Sequence, residues 1–401
     1  VLILVGLPPR NKIEQHLLRW RKSAAFVAWE YTPHAQVPCD PIHLDGIVIR
    51  GYESGGVSCD QSVLTLFNLA RRDLAGKLPL IVQGLENPEL AAVFRLAGAQ
   101  GFMLDSSLLL SPEAGMAAPV ANELEQARES GLRRRYLGDG WVDVSYVCSG
   151  AGDNVEVPAG MSLIIAGTST AKDIGVRMAD FRQAVNGALT DLEAIEVSDV
   201  RKLQDTPFAI QGPMAWISNS PPFAEACARS GFLPVLSLLG IDRAAMATLA
   251  KGVMERPAIK AFGIGIAGKT ELTPAETIAV FGKKPPAAII LAADQWIMRK
   301  EWCALEIPAW IHIQTRSMLE IALADSTQRF ILEGCESGGR VGYLSSVVLW
   351  TMAFKTMLSD DGDLLSVIFS NSIDLVTSER TSSSLKLILA SGKPLTYEVS
   401  T

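Results

Sequence analysis

One tetrapeptide, Glu-Ser-Gly-Gly, stands at residues 53–56 and again at residues 336–339, each time behind a short apolar run. The runs are Ile47-Val48-Ile49-Arg50-Gly51 and Phe330-Ile331-Leu332-Glu333-Gly334, so the repeated unit is a strand, a glycine, an acid, a small residue and two glycines. Adjacent glycines permit φ > 0 and let backbone N–H groups approach a flat or anionic ligand that a side chain would hold off. The repeat therefore describes a cofactor loop at a strand end, present twice in one chain.

Around these loops, short β-branched runs alternate with amphipathic, alanine-rich stretches, the pattern of βα units on a parallel sheet. The fold class is α/β. From residue 207 the expected strands are Phe208–Gln211, Leu233–Leu238, Lys260–Ile266, Ala288–Ala292, Ala309–Ile313, Arg329–Gly334, Ser366–Ser370 and Leu395–Val399, the number that closes a TIM-barrel-like (β/α)8 unit. Residues 1–111 repeat only the later part of that series: Val1–Val5, Ala24–Trp29, Gly46–Gly51, Leu78–Gln83 and Gly101–Leu104. The expected organisation is an incomplete first barrel over residues 1–111, an inserted α+β subdomain over 112–206 and a second barrel over 207–401. The insert carries a Glu- and Arg-rich helix candidate, a glycine-dotted β-like stretch from Trp141 to Ile165, and a second helix candidate from Ala171 to Leu192. The chain opens on Val1 rather than Met and reaches Thr401 at the end of the eighth strand, so the expectation is a segment of a longer protein.

With 401 residues, 48% of them hydrophobic, the chain can bury two cores. Its net charge of −7 argues against a broad nucleic-acid or anionic-membrane footprint. The one basic run, Arg133-Arg134-Arg135, reads as a solvated helix face. Six scattered cysteines without a C-x-x-C pair fit reduced thiols in a cytoplasmic setting. His16, His34, His43 and His312 do not cluster with other ligands, which argues against a metal, and no apolar stretch is long enough to span a bilayer.

The segment from Gly263 to Thr270 matches the P-loop pattern, with Gly268-Lys269-Thr270 at its end and Asp294 after a later apolar run. Ile264 and Ile266 alternate with Gly263 and Gly265, however, and β-branched side chains resist curling around a phosphate. The segment reads as the third barrel strand, with a P-loop phosphotransferase as the remote alternative.

Gln211-Gly212-Pro213-Met214 closes the first strand of the second unit, and Glu333-Gly334-Cys335-Glu336-Ser337-Gly338-Gly339 closes the sixth. In a barrel both lie on the C-terminal face, where ligand chemistry is done. With Pro207-Phe208-Ala209-Ile210 before the first of these, Gly231-Phe232-Leu233-Pro234, and Ser345-Ser346-Val347-Val348-Leu349-Trp350, the chain resembles the 2-nitropropane dioxygenase-like, FMN-dependent enoyl reductase barrels. Asp45-Gly46, Gly55-Gly56 and the run from Gly101 to Leu110 extend the resemblance to the first unit. It is closest to tandem copies of such domains inside large type I polyketide or polyunsaturated-fatty-acid-type lipid synthases.

The resemblance implies FMN in the second barrel, held by Gln211, Gly212 and Met214, by Glu336, Ser337, Gly338 and Gly339, and by phosphate loops at Asn371-Ser372 and Ser400-Thr401. In the first unit the phosphate positions read Gln83-Gly84-Leu85-Glu86 and Leu104-Asp105-Ser106. An aspartate about 4–5 Å from a phosphate costs about 3–4 kcal/mol at an effective dielectric near 20, so no FMN is expected there. The family's acid–base histidine follows the Gly-Gly pair, where this chain has Val57 and Arg340. Losing such a group forfeits about 10²–10⁴ in rate. His312, at the end of the fifth strand, is the candidate replacement, and Arg340 is a candidate partner for a phosphate or a phosphopantetheine thioester. The implied substrate is an acyl thioester on an acyl carrier protein, with neighbouring synthase domains and a second copy of the chain as further partners. The expectation is an enoyl reductase-like didomain with reduced or lost activity. The alternative is an inactive pseudoenzyme that docks other synthase domains.

Overall fold

The computed structural model describes residues 2–4, 18–33, 44–74, 76–149, 154–165, 173–194, 209–269, 272–325, 329–338, 341–359, 366–370 and 396–400. The described residues divide into two compact units, one up to Ala194 and one from Ala209.

In the first unit, strands β1 (Leu2–Leu4), β2 (Val27–Tyr31), β3 (Gly46–Arg50), β5 (Leu80–Gln83) and β6 (Gly101–Met103) form an open parallel sheet in the order β1-β2-β3-β5-β6. These are the five strands expected from the apolar runs. Helix α1 (Val63–Leu74) follows the first Glu-Ser-Gly-Gly loop and buries Val63, Leu66, Phe67, Ala70 and Leu74. Helix α2 (Pro88–Leu96) starts where the Asn87 side chain accepts from Leu90 N at 2.8 Å and Pro88 presets the first turn.

The same unit holds an antiparallel sheet. Strand β4 (Gly56–Cys59) pairs with β8 (Trp141–Cys148), which also pairs with β7 (Leu132–Gly138) and β9 (Val155–Val157). Strand β8 alternates half-buried and buried residues, the signature of one packed face. Two helices, α3 (Ala118–Glu125) and α4 (Ser162–Ile165), flank this sheet in sequence, and α5 (Ile174–Ala194) packs Val185, Phe181, Ala188 and Leu189 on Ala91, Ala92 and Val93 of α2. The basic run departs from expectation. Arg133, Arg134 and Arg135 lie on strand β7, not on a helix: Arg134 stacks over the Tyr52 ring at 4.1 Å and Arg135 pairs with Asp143 of β8 at 2.5 Å. Cross-strand pairing and a cation–π contact give the arginines partners that a helical reading of the charges overlooks.

In the second unit, β10 (Ala209–Gln211), β11 (Leu233–Ser237), β12 (Gly263–Ile266), β13 (Ala288–Leu291), β14 (Ala309–Ile313), β15 (Arg329–Glu333), β16 (Ser366–Ser370) and β17 (Thr396–Ser400) form a closed parallel barrel. Closure comes from β17 pairing with β10, Ala209 opposite Val399 and Ile210 opposite Ser400. Helices α6 (Pro221–Arg229), α7 (Arg243–Met254), α8 (Pro274–Val280), α9 (Arg299–Cys303), α10 (Arg316–Ala324) and α11 (Ser346–Ser359) alternate with the strands.

One buried cluster joins Ile210, Val235, Ala288, Ile290, Trp310 and Ile331. Strands β10 and β13 are not neighbours, so these side chains meet across the barrel lumen. The P-loop-like segment is a buried barrel strand, with Gly263, Ile264, Gly265 and Ile266 all buried. Its glycines have a packing cause: a Cβ on Gly265 would sit 2.2 Å from Pro213 Cβ.

That contact yields a stability contrast. Gly265→Val should lower the second unit's stability by about 1–3 kcal/mol in urea unfolding. Gly212→Ala, with no heavy atom of the described residues within 4 Å of its would-be Cβ, should change it by less than about 0.5 kcal/mol. Equal effects at the two glycines would contradict this packing.

Candidate functional site

Residues two apart on a strand share a face, so Ser237, His312 and Glu333 stand on the lumen face above Val235, Trp310 and Ile331. At this C-terminal end His312 Nδ1 lies 2.8 Å from Glu333 Oε2, and Gln314 Nε2 donates to the same oxygen at 2.8 Å. Both His312 and Glu333 side chains are nearly buried. A carboxylate oxygen accepts, so Nδ1 is the donor in this contact and Nε2 takes no part in it. The sequence singled out His312. Glu333 and Gln314 were missed as its partners, although Glu333 falls at the two-residue spacing that marks a lumen position after Ile331.

The glutamate that opens the Glu-Ser-Gly-Gly motif is held the same way in both units. Glu336 Oε2 accepts from Ser346 N at 2.9 Å and Ser346 Oγ at 2.8 Å, at the start of α11. Glu53 Oε2 accepts from Val63 N at 2.9 Å, at the start of α1. Each glutamate thus satisfies an orphan N–H of the following helix and places its charge at the positive end of the helix dipole. The glycine after each strand makes the approach feasible. A Cβ on Gly51 would lie 2.3 Å from Val63 N, and one on Gly334 would lie 2.4 Å from Ser346 N.

Beyond the glutamate the copies differ. Among the described residues, no heavy atom comes within 4 Å of a Cβ built on Gly338. At the matching Gly55 the carbonyl oxygen of Pro158 lies 2.0 Å from that point, and Gly160 packs equally close to the Glu53 carbonyl. Ser162 N donates to Glu53 O at 3.0 Å. The first loop is therefore covered by the chain's own segment from Pro158 to Ser162.

The strand pairs also diverge. Glu30 lies opposite Val48, two residues before Arg50, as His312 lies opposite Ile331, two residues before Glu333. An acid–base pair thus recurs across the same two strands with its members exchanged. Glu30 is buried, and burial pushes its carboxyl up to about 7 against the opposing pull of Arg50. Arg50 donates to Gly55 O at 2.5 Å and so braces the covered loop.

The remaining sequence-predicted residues fall as follows. Gln211 is buried, and its Oε1 accepts from Val235 N at 3.2 Å, fixing β10 to β11. Met214 is 39% exposed, in a turn that Ser218 Oγ locks by accepting from Met214 N at 2.9 Å and donating to Met214 O at 3.0 Å. Gly212 follows β10, and Ser337 is half-buried beside the exposed Gly338. Ser400 ends β17 in register with Ser370 of β16. Gly339, Arg340, Asn371, Ser372 and Thr401 lie outside the described residues. Val57, at the first unit's histidine position, is on β4 and is 44% exposed.

Among the described residues there is no cluster of three or more metal-ligating side chains, and no helix is long and apolar enough to cross a membrane. The shared glutamate gives a direct test of the loop. Glu336→Ala should cost about 1–3 kcal/mol in chemical unfolding by orphaning the helix-start N–H, and Glu336→Gln should recover much of that by keeping an acceptor. Equal losses in the two variants would argue against the cap.

No protein-family model and no curated protein matches the chain. Among solved structures, FabK from Thermotoga maritima is similar at 16% identity with a TM-score of 0.38, over 51% of this chain and 62% of that one. A nitroalkane oxidase from Streptomyces ansochromogenes is similar at 15% identity with a TM-score of 0.37, over 50% of this chain and 66% of that one. The chain therefore spans less than two thirds of the length of either protein, and the likeness is one of backbone arrangement alone.

Proposed function

We propose that the second unit is a flavin-dependent oxidoreductase barrel of the enoyl reductase type, with FMN at its C-terminal mouth, and that the first unit is a copy that holds no flavin. The observation that carries this reading is the contrast between Gly338, with no neighbour at its would-be Cβ among the described residues, and Gly55, against which Pro158 is packed. A flat ring system needs such an approach to bare backbone.

The residues that would hold FMN are Gln211, Gly212 and Met214 after the first strand, the Glu336–Gly339 loop after the sixth, and Asn371, Ser372, Ser400 and Thr401 after the seventh and eighth. The side chains named at the seventh and eighth strand ends, Asn371, Ser372, Ser400 and Thr401, are uncharged. Bound flavin supplies hydride transfer. The chain would supply the proton: His312 as imidazolium gives up its Nε2 proton and is left as neutral imidazole, while Glu333, itself held by Gln314, orients the ring through Nδ1 and stabilises the imidazolium before transfer. Arg340 offers a cation for a phosphate or a thioester-bearing phosphopantetheine arm. An acyl thioester on a carrier protein is the substrate, within a polyketide or lipid synthase.

The second reading is a pseudoenzyme whose two units dock neighbouring synthase domains. It is favoured by the absence of the family histidine at both Val57 and Arg340. Titration of the purified chain with FMN separates the two. The oxidoreductase reading expects one FMN per chain, a visible flavin band, and loss of binding in Gly338→Phe. It further expects His312→Gln to retain FMN affinity while thioester reduction falls about 10²–10⁴-fold. A chain that stays colourless in excess FMN, with no shift in Tm, would leave only the docking role.

A further inference from the structure

The first unit buries a pair of carboxyls, Glu86 and Asp105, that neither sheet needs for its ladder. After β5 the chain turns at Gly84, φ +85°, and brings Glu86 back against the end of β6. Glu86 Oε1 accepts from Asp105 N at 3.0 Å and Ser106 N at 2.8 Å, and its Oε2 accepts from Ser107 N at 2.7 Å. Asp105 enters the same space. Its Oδ1 accepts from Ser106 N and from Ser162 Oγ, the latter at 3.2 Å, and its Oδ2 accepts from Gln83 Nε2 at 3.0 Å.

Two carboxyls therefore converge on one N–H, that of Ser106. No ion pair of either is formed with any described residue. The other groups that reach them are neutral: Gln83 from β5, Ser106 and Ser107 from the turn after β6, and Ser162 from α4. Two other carboxyls of this unit are directed elsewhere, with Glu89 held by Asn87 Nδ2 at 2.6 Å and Glu53 at the start of α1. Like charges this close and this buried do not both ionise. Burial first, and then Asp105, push the Glu86 carboxyl up to about 8. Burial also raises Asp105, but hydrogen bonds from Glu86, Gln83 and Ser106 outweigh it and hold that carboxyl below its ordinary range.

The pair is tied to the segment that covers the first Glu-Ser-Gly-Gly loop. Ser106 Oγ accepts from Gly160 N at 3.0 Å and from Ser162 Oγ at 3.1 Å, and Ser162 in turn donates its N–H to Glu53 O. We propose that Glu86 and Asp105 share one proton and form a latch, whose deprotonation releases the Pro158–Ser162 segment from the Glu53-Ser54-Gly55 loop. When that proton leaves, relief requires Asp105 to move away from Glu86, and Asp105 carries Ser162 and Ser106 with it. The latch belongs to the first unit and holds whatever the second barrel binds.

The sign follows from linkage. The closed latch keeps its proton up to about pH 8, whereas a carboxyl released to solvent loses it near its ordinary value, about 4.5. Opening between those values therefore releases a proton, and the closed form loses stability as pH rises. Hydrogen exchange of the full chain at a series of pH values, corrected for intrinsic exchange, reads this directly. In peptides covering residues 158–165 the opening constant should rise about tenfold per pH unit between about 5 and 8 and then level off. Peptides of α1 should lack that slope.

Asp105→Asn keeps an acceptor for Ser106 N and Ser162 Oγ and can donate to a turned Gln83 amide. It leaves Glu86 as a lone carboxylate on three N–H groups. It should retain protection of residues 158–165 and make the opening constant level off at a lower pH than in the wild type, because burial alone then holds the Glu86 carboxyl up. Glu86→Gln should abolish the slope, and serves if the first variant does not fold. An opening constant equal at pH 5 and pH 8, a wild-type slope in Glu86→Gln, a plateau unmoved in Asp105→Asn, or the same slope in α1 would overturn the latch.

Discussion

The turn after β3 and the turn after β15 depend on one interaction, a glutamate carboxylate that reaches forward to the first N–H of the next helix. Glu53 meets Val63 and Glu336 meets Ser346, and each contact is made across a glycine that leaves no room for a Cβ. The constraint fixes where the helix begins, how sharply the strand end turns, and which backbone atoms of the Ser-Gly-Gly segment are presented at the mouth. The repeated tetrapeptide is thus first a folding device. The cofactor role read from its glycines is a use to which that device can be put.

From this shared construction the copies part in two ways. In the closed barrel, His312 and Glu333 bring an acid–base pair to the lumen end and the Gly338 side of the loop stays accessible. In the open sheet, Glu30 and Arg50 occupy the corresponding strand positions, Arg50 braces the Gly55 carbonyl, and Pro158 to Ser162 lie where a ligand would need bare backbone. Glu86 occupies the N–H groups at the end of β6 with a carboxylate of the chain's own, so an incoming anion would meet both a filled site and the charge of Asp105. These differences strengthen the electrostatic argument made from Asp105 alone, because the geometry adds a steric and a hydrogen-bonding obstacle to it.

Much of this was legible in the sequence where a local signal exists. Ala309–Ile313 and Ser366–Ser370 were bounded to the residue, since β-branched runs stop at turn-forming neighbours. The start of the P-loop-like segment, Gly263–Ile266, is a strand for the reason its alternating isoleucines suggested, and Pro213 explains why Gly265 must be a glycine. Strand β7 was misread because three successive arginines hide the two-residue alternation on an edge strand. The His312–Glu333 contact and the cover at Gly55 were not legible. They depend on register between strands and on the approach of residues distant in sequence, neither of which a linear pattern encodes.

The account's central claim is that one loop was built twice and kept accessible once. Hydrogen exchange of the full chain with and without FMN measures both loops in the same molecule. The account predicts that residues 51–56 are protected before FMN is added and do not change, while residues 334–338 gain protection with FMN. Protection gained at residues 51–56, or none gained at residues 334–338, would contradict it.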